Sequence, residues 1–305
     1  GKFDKGAGGA YSFSGGLHGV GVSVTNALAK RLEVTVAREG QIARLVFSGG
    51  DVIEKLAVRE RSAGDRKQGT SVRVWPDAKY FDSAELPRAE LVHLLRSKAV
   101  LMPGVTVSLA IEKTADKQRW QYKGGLRDYL MQSLPADPLI PLFEGEHYAE
   151  AAETENFAEG EGAAWCVAFT EDGNLLRESY VNLIPTVAGG THESGLKDGL
   201  FGAIKGFIDL HSLLPKGVKL MPEDVFSRAS FVLSAKVLDP QFQGQTKERL
   251  NSRDALRLVA NYTRPAFELW LNQHVEHGKK LAELVIKQAQ TRQRASQKVE
   301  KRKGS

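Results

Sequence analysis

The chain has 305 residues, 42% of them hydrophobic, which is enough to bury more core than one domain usually holds, so two domains are expected. No run approaches the roughly eighteen apolar residues of a membrane helix, and a single cysteine, Cys166 in the apolar stretch 163–169, excludes an intrachain disulfide or a Cys-based zinc site; a soluble, cytoplasmic protein is expected. The net charge of +5 is uneven, because residues 278–305 carry nine Lys or Arg against two Glu and leave −2 on the remainder.

Residues 1–18 hold glycines at 1, 6, 8, 9, 15 and 16, too many for regular structure, and read as a loop. From Gly19 onward Val20, Val24, Ala27, Leu28 and Leu32 fall at helical spacing, so the loop runs into a helix N-terminus. β-Rich segments follow over 32–38, 41–47 and 70–75, the first two joined by a Glu39-Gly40 turn. A helix over 87–100 and a strand over 105–111 complete an α+β layer, with helices on one face of a mixed sheet. Residues 144–162 carry seven Glu and no Lys or Arg, and read as a solvated loop or linker. Beyond them, strands over 164–170 and 180–186, a helix over 194–210, a strand over 230–237 and a helix over 252–275 give a second domain built on a βαβ unit. Residues 279–303 predict a helix with the weak apolar stripe Leu281, Leu284, Val285 and Ala289. Its other face is basic, which fits a solvated surface, a helical connector or contact with DNA through Arg292, Arg294 and Lys298.

Two segments carry chemistry. In SGGLHGVGVS (14–23) glycines let backbone N–H groups approach an anion at a helix N-terminus, a phosphate cradle. It is not a P-loop, since Val22 stands where Lys is required, nor a dinucleotide fingerprint, since no strand precedes it and Val24 takes the third glycine position. A glycine turn before a helix also occurs with no ligand, and His18 alone is more often a packing or hydrogen-bonding residue than a catalyst. In DPQFQGQTKERL (239–250) an amide and a lysine two residues apart could meet developing phosphate charge, or the segment is an exposed turn.

GGLHGVGVSVTNAL (15–28) resembles the box that closes the nucleotide site in the gyrase, Hsp-type chaperone, histidine kinase and MutL ATPase superfamily. Together with IPTVAGGTH (184–192) and QTKERL (245–250), it makes essentially the whole chain resemble the ATPase B subunits of bacterial type IIA topoisomerases. SYVNLIPT (179–186), QRW (118–120) and LWLNQ (269–273) resemble the topoisomerase IV branch more than the gyrase branch, which stays the alternative. The resemblance implies the later part of an ATPase sandwich over 1–133, a βαβ transducer domain over 134–275 and a basic connector helix over 276–305. It implies ATP and Mg²⁺ as cofactors. Lys2 would reach a phosphate and Tyr11 the adenine edge, while Gly16, Leu17, His18, Gly19, Val20 and Gly21 would cradle the phosphates. Thr70 and Val72 would line the adenine pocket with Arg38 at its mouth, and Gln245 and Lys247 would come from the transducer to the γ-phosphate as the catalytic pair.

One departure is the stretch 5–10, longer and richer in glycine than the family's lid. In this family the glutamate base, the Mg²⁺-binding asparagine, the adenine-reading aspartate and the dimerising arm precede the lid. The 305 residues alone are therefore expected to hold no metal ligand and to hydrolyse no ATP, acting at most as a nucleotide-responsive module. Double-stranded DNA, the topoisomerase IV A subunit in a heterotetramer and a second copy of the ATPase chain in a homodimer are the implied partners, with no membrane partner.

Overall fold

The computed structural model describes Phe13 and residues 20–153, 155–244 and 246–303. These fall into two compact units, residues 20–91 and, with Phe13, residues 92–303.

In the first unit α1 (Gly21–Ala27) precedes four antiparallel strands, β1 (Ala29–Arg38), β2 (Gln41–Ser48), β3 (Asp51–Glu60) and β4 (Gly69–Pro76), in the order β3-β2-β1-β4. Glu39 (φ 51°) and Gly40 (φ 75°) are both left-handed, the two-residue turn geometry that follows the strands' own twist. Gly49 and Gly50 turn the chain again into β3, a strand that the sequence pattern hides. Its apolar residues Val52, Ile53, Leu56 and Val58 lack period-2 alternation, and every residue of it is exposed at the sheet edge.

The second unit starts within α2 (Arg88–Leu101) and continues through the hairpin β5 (Val107–Ile111) and β6 (Asp116–Trp120) to α3 (Leu126–Ser133). Then come β7 (Phe143–Tyr148), β8 (Gly162–Phe169), β9 (Arg177–Val181), β10 (Ile184–Pro185), α4 (Thr191–Leu210), α5 (Pro222–Phe226), β11 (Ala229–Lys236), α6 (Arg253–Gln273) and α7 (Val275–Lys303). The five strands form one sheet in the order β10-β9-β11-β8-β7, and β9 and β11 run parallel with α4 in the connection between them, the predicted βαβ unit. β8 and β11 are buried almost throughout because helices cover both faces of the sheet. Leu196, Leu200 and Ile204 of α4, Phe267 and Leu271 of α6 and Leu281 and Val285 of α7 pack with Phe231 and Leu233 on one face. Val100 of α2 and Tyr129 and Leu130 of α3 pack with Cys166, Ala168 and Val232 on the other.

The acidic segment 144–162 is not a linker throughout. Its start belongs to β7, which pairs with β8 as an edge strand: Phe143 is buried while Glu144 and Glu146 stay exposed, so alternation places the carboxylates in water. Cys166 packs in the core as expected, and burial pushes its thiol up to about 12. The weak stripe Leu281, Leu284, Val285 and Ala289 of α7 is wholly buried, and Gly278 lies against the Phe207 ring, so the first half of this helix is core. Among the described residues no helix is long and apolar enough to cross a membrane.

Candidate functional site

In the first unit α1 lies over the sheet face that carries Leu32, Val34 and Val36, and a groove of about 310 Å³ separates them, lined on the helix side by Val22, Ser23 and Asn26. Thr70 and Val72 stand directly across from Val36 and Val34, and cross-strand partners share a face, so both lie on this face of the sheet, on β4, but neither lines the groove itself. Val72 is 58% exposed, and the side-chain oxygen of Asn26 is buried with no hydrogen-bond partner among the described residues. An apolar wall with one unsatisfied acceptor fits a heteroaromatic ring that carries a donor. The helix begins at Gly21, with the Val24 N–H donating to the Val20 carbonyl at 2.9 Å. Arg38 ends β1 at the surface in an ion pair with Glu39 at 3.2 Å. Lys2, Tyr11, Gly16, Leu17, His18 and Gly19 lie outside the described residues.

In the second unit the structure joins the two family motifs, 184–192 and 245–250, although residues 193–244 separate them. Glu248 and Leu250 pair with the turn before α4: the Ala188 N–H donates to the Glu248 carbonyl (2.9 Å), the Leu250 N–H to the Gly189 carbonyl (3.0 Å) and the Thr191 N–H to the Leu250 carbonyl (3.1 Å). Gly190 is required here, because its φ is 142° and a Cβ on it would collide with the Leu250 backbone. Lys247 is half-buried and left-handed, with φ 58°, immediately before this ladder. Gln245 lies outside the described residues.

Beneath the ladder is a polar cluster that the sequence does not single out. Ser179 of β9 donates to Glu193 Oε1 at 2.7 Å and stands 2.8 Å from the Thr186 hydroxyl, which is 2.9 Å from His192 Nε2. Ser179, Thr186 and His192 are buried, and His192 Nδ1 has no partner among the described residues. Burial pushes the Glu193 carboxyl up, against the opposing pull of the Ser179 hydroxyl, Arg177 and Arg249. Burial also holds the His192 imidazole down, at about 3.

A testable pH effect follows from His192. Its folded value lies below the unfolded value, so its neutral form stabilises the fold fully above about pH 6.5. That contribution is lost as pH falls from there toward the folded value, since only the unfolded chain takes up the proton. Chemical denaturation between pH 7 and 5 should show a stability slope that is shallower in His192→Gln by up to about 1.4 kcal/mol per pH unit below pH 6. Equal slopes in the two proteins would show that His192 is not held neutral.

Among the described residues no three His, Cys, Asp or Glu side chains gather to hold a metal ion. The basic residues of α7 separate into two groups. Arg292 donates from Nε to Asp224 Oδ1 at 3.0 Å, from Nη2 to Asp224 Oδ2 at 3.1 Å and from Nη2 to the Lys219 carbonyl at 2.7 Å, so its fork is turned onto its own domain. Arg294 and Lys298 are exposed.

The family model for DNA gyrase B matches residues 125–301, more than half of the chain. The B subunit of DNA topoisomerase 4 from Salmonella typhimurium is 47% identical over 300 residues, covering 96% of this chain and 45% of that protein. The Escherichia coli (strain K12) protein of the same name is 46% identical over 295 residues, with coverage of 96% and 45%. The chain thus spans a little under half the length of these curated relatives. Among solved structures, the topoisomerase IV ATP binding domain of Francisella tularensis, in complex with a small molecule inhibitor, has a TM-score of 0.72 at 36% identity, covering 92% of this chain and 75% of that one. The 43K ATPase domain of Thermus thermophilus gyrase B, in complex with an aminocoumarin, has a TM-score of 0.74 at 26% identity, with coverage of 92% and 74%.

Proposed function

The chain belongs to the DNA gyrase B family, and from that premise we propose that it is ATP-binding and transducer sequence from the ATPase subunit of a type IIA DNA topoisomerase of the topoisomerase IV kind. The observation that carries this reading is the docking of 248–250 on 188–191, directly after Lys247. The topoisomerase 4 names of the 46–47% identical relatives support that branch. The proposed domain assignment is the one implied by the resemblance: 1–133 to the ATP-binding domain, 134–275 to the transducer and 276–305 to a connector.

ATP would be the nucleotide, with adenine against the Thr70 and Val72 face and phosphates at the glycine loop. Its hydrolysis would drive passage of one duplex through a transient break in another. Lys247, and Gln245 two residues before it, would meet the γ-phosphate, where a fixed ammonium stabilises the charge that shifts during transfer. The carboxylate base would come from sequence that the family carries before the lid, and so would the Mg²⁺ ligand; none of the described residues is assigned either role. The full-length subunit should release phosphate from ATP, faster with duplex DNA present, while residues 1–305 produced alone should stay at the buffer background. Turnover by the 305 residues alone would place the base among them and overturn this division of labour.

Duplex DNA, the topoisomerase IV A subunit and a second copy of the ATPase chain are the proposed partners, in the cytoplasm. With Arg292 turned onto Asp224, Arg294 and Lys298 are the cations proposed to meet DNA phosphates. Changing both to Gln should flatten the log-log salt dependence of DNA binding by about two units, at about 0.9 per phosphate. An unchanged slope returns this face of α7 to plain solvated surface.

A further inference from the structure

We propose that Ser179, Thr186, His192 and Glu193 form a buried positioning relay that fixes the loop carrying Lys247, so that these residues act on the γ-phosphate through Lys247 without touching the nucleotide. The inference rests on the functional reading above, and the observations that carry it are geometric.

The relay has one consistent direction. Glu193 as a carboxylate only accepts, so the Ser179 hydroxyl spends its single proton on Oε1 at 2.7 Å. Its other contact, to the Thr186 carbonyl at 3.4 Å, is too long to compete. Ser179 therefore accepts from Thr186 at 2.8 Å, and Thr186, its proton spent, accepts from His192 Nε2–H at 2.9 Å. That tautomer leaves Nδ1 as a bare lone pair, and Nδ1 is the buried ring nitrogen that has no partner among the described residues. An unpaired acceptor costs less there than a buried, unpaired N–H would.

The relay holds the loop from below. Thr186 accepts the Gly189 N–H through its carbonyl at 2.9 Å, and the Glu193 carboxylate fills the space above Gly189, where a Cβ would come within 2.5 Å of Oε2. Gly189 and its neighbours in turn make the three backbone bonds to Glu248 and Leu250. Arg249, which donates to the Ala188 carbonyl at 3.3 Å, adds its charge to Arg177 around the same carboxylate. Lys247 directly precedes the pinned residues, and a misplaced catalytic group loses rate steeply with distance.

The test uses Thr186→Val in the full-length subunit, a near-isosteric change that removes the central hydroxyl, with Thr186→Ser as its conservative control. Three readouts are expected together. Hydrogen exchange at the Thr191 and Leu250 amides should speed up by about tenfold or more. The kcat for ATP should fall about tenfold, with KM within about threefold, and Thr186→Ser should restore both properties. In a Lys247→Ala background Thr186→Val should cost less than about twofold further, since the relay works through that lysine. Unchanged exchange at Thr191 and Leu250 would overturn the relay whatever the turnover, and so would an equal loss of kcat with and without Lys247. A wild-type subunit that hydrolyses no ATP would instead sink the functional reading, and the exchange rates would still decide whether the relay anchors the loop.

Discussion

Replacing Lys247 with alanine in the full-length subunit is expected to lower ATP turnover by about 10²-fold or more, with nucleotide affinity changed far less. The scale is that of losing one preorganised group at a site where charge shifts in the transition state. The backbone makes this residue specific rather than interchangeable with its neighbours. Lys247 is half-buried in the left-handed region at φ 58°, a conformation that a side-chain-bearing residue adopts at a cost, next to three backbone bonds that fix the following residues. Lys247→Ala keeps the same backbone preference, so loss of activity would report the ammonium and not a misfolded loop. Single-turnover phosphate release separates chemistry from binding. Turnover within a few-fold of wild type would reduce Lys247 to a surface residue.

The second large effect is on stability. Asp224 is only 3% exposed, and Arg292 grips both of its oxygens while the Met221 N–H donates to Oδ2 at 2.7 Å. Arg292→Gln leaves that carboxylate with little compensation in a poorly solvated site. Breaking such a pair from one side costs roughly 3–5 kcal/mol when both partners are buried. Arg292 is 31% exposed, which places the expected loss nearer about 2–3 kcal/mol, or roughly 5–10 °C in Tm for a unit of some 200 residues. Arg292→Leu with Asp224→Leu should lose less than the sum of the single changes, because the double variant strands no charge. Additive losses in thermal unfolding would mean that the pair is not coupled.

The contrast between Arg292 and Arg294 shows where the sequence was legible and where it was not. Two residues apart in one basic run, they look alike in composition. Helical geometry turns one onto α5 and the other to solvent, and the Asp224 that makes the difference lies 68 positions away. Local signals hold in some places and fail in others: the strand expected over 180–186 is broken by the left-handed Asn182 and Leu183 into β9 and β10, and the first unit's sheet, expected to be mixed, is antiparallel throughout. Glu39-Gly40 does turn β1 into β2, the β-rich segment 41–47 does make a strand, and the stripe from Leu281 to Ala289 does face the core. β3 and β7 escaped because both are edge strands, with charges where a central strand carries apolar residues. β6, Asp116–Trp120, escaped for a similar reason, being a short strand whose only apolar residue is its last.

The candidate site divides in the same way. QTKERL and IPTVAGGTH were visible as motifs, yet nothing in either predicts that Leu250 pairs with both Gly189 and Thr191. The Gly189-Gly190 pair was the available clue. Two successive glycines before a helix mark a turn with φ values of 71° and 142°, and in this fold the turn leaves room for a second backbone. His192 and Glu193 gave no such signal, since a histidine and a glutamate opening a helix usually face water, and only the tertiary fold buries one completely and sets the other beside Ser179.

The most direct measurement is made on the complete ATPase subunit mixed with a topoisomerase IV A subunit and given catenated DNA circles. The expected result is unlinking that requires ATP and is abolished by Lys247→Ala, with no negative supercoils introduced into relaxed plasmid. ATP-dependent supercoiling would move the protein to the gyrase branch, and unlinking that proceeds equally well without ATP would contradict the assignment of this chain to nucleotide-driven strand passage.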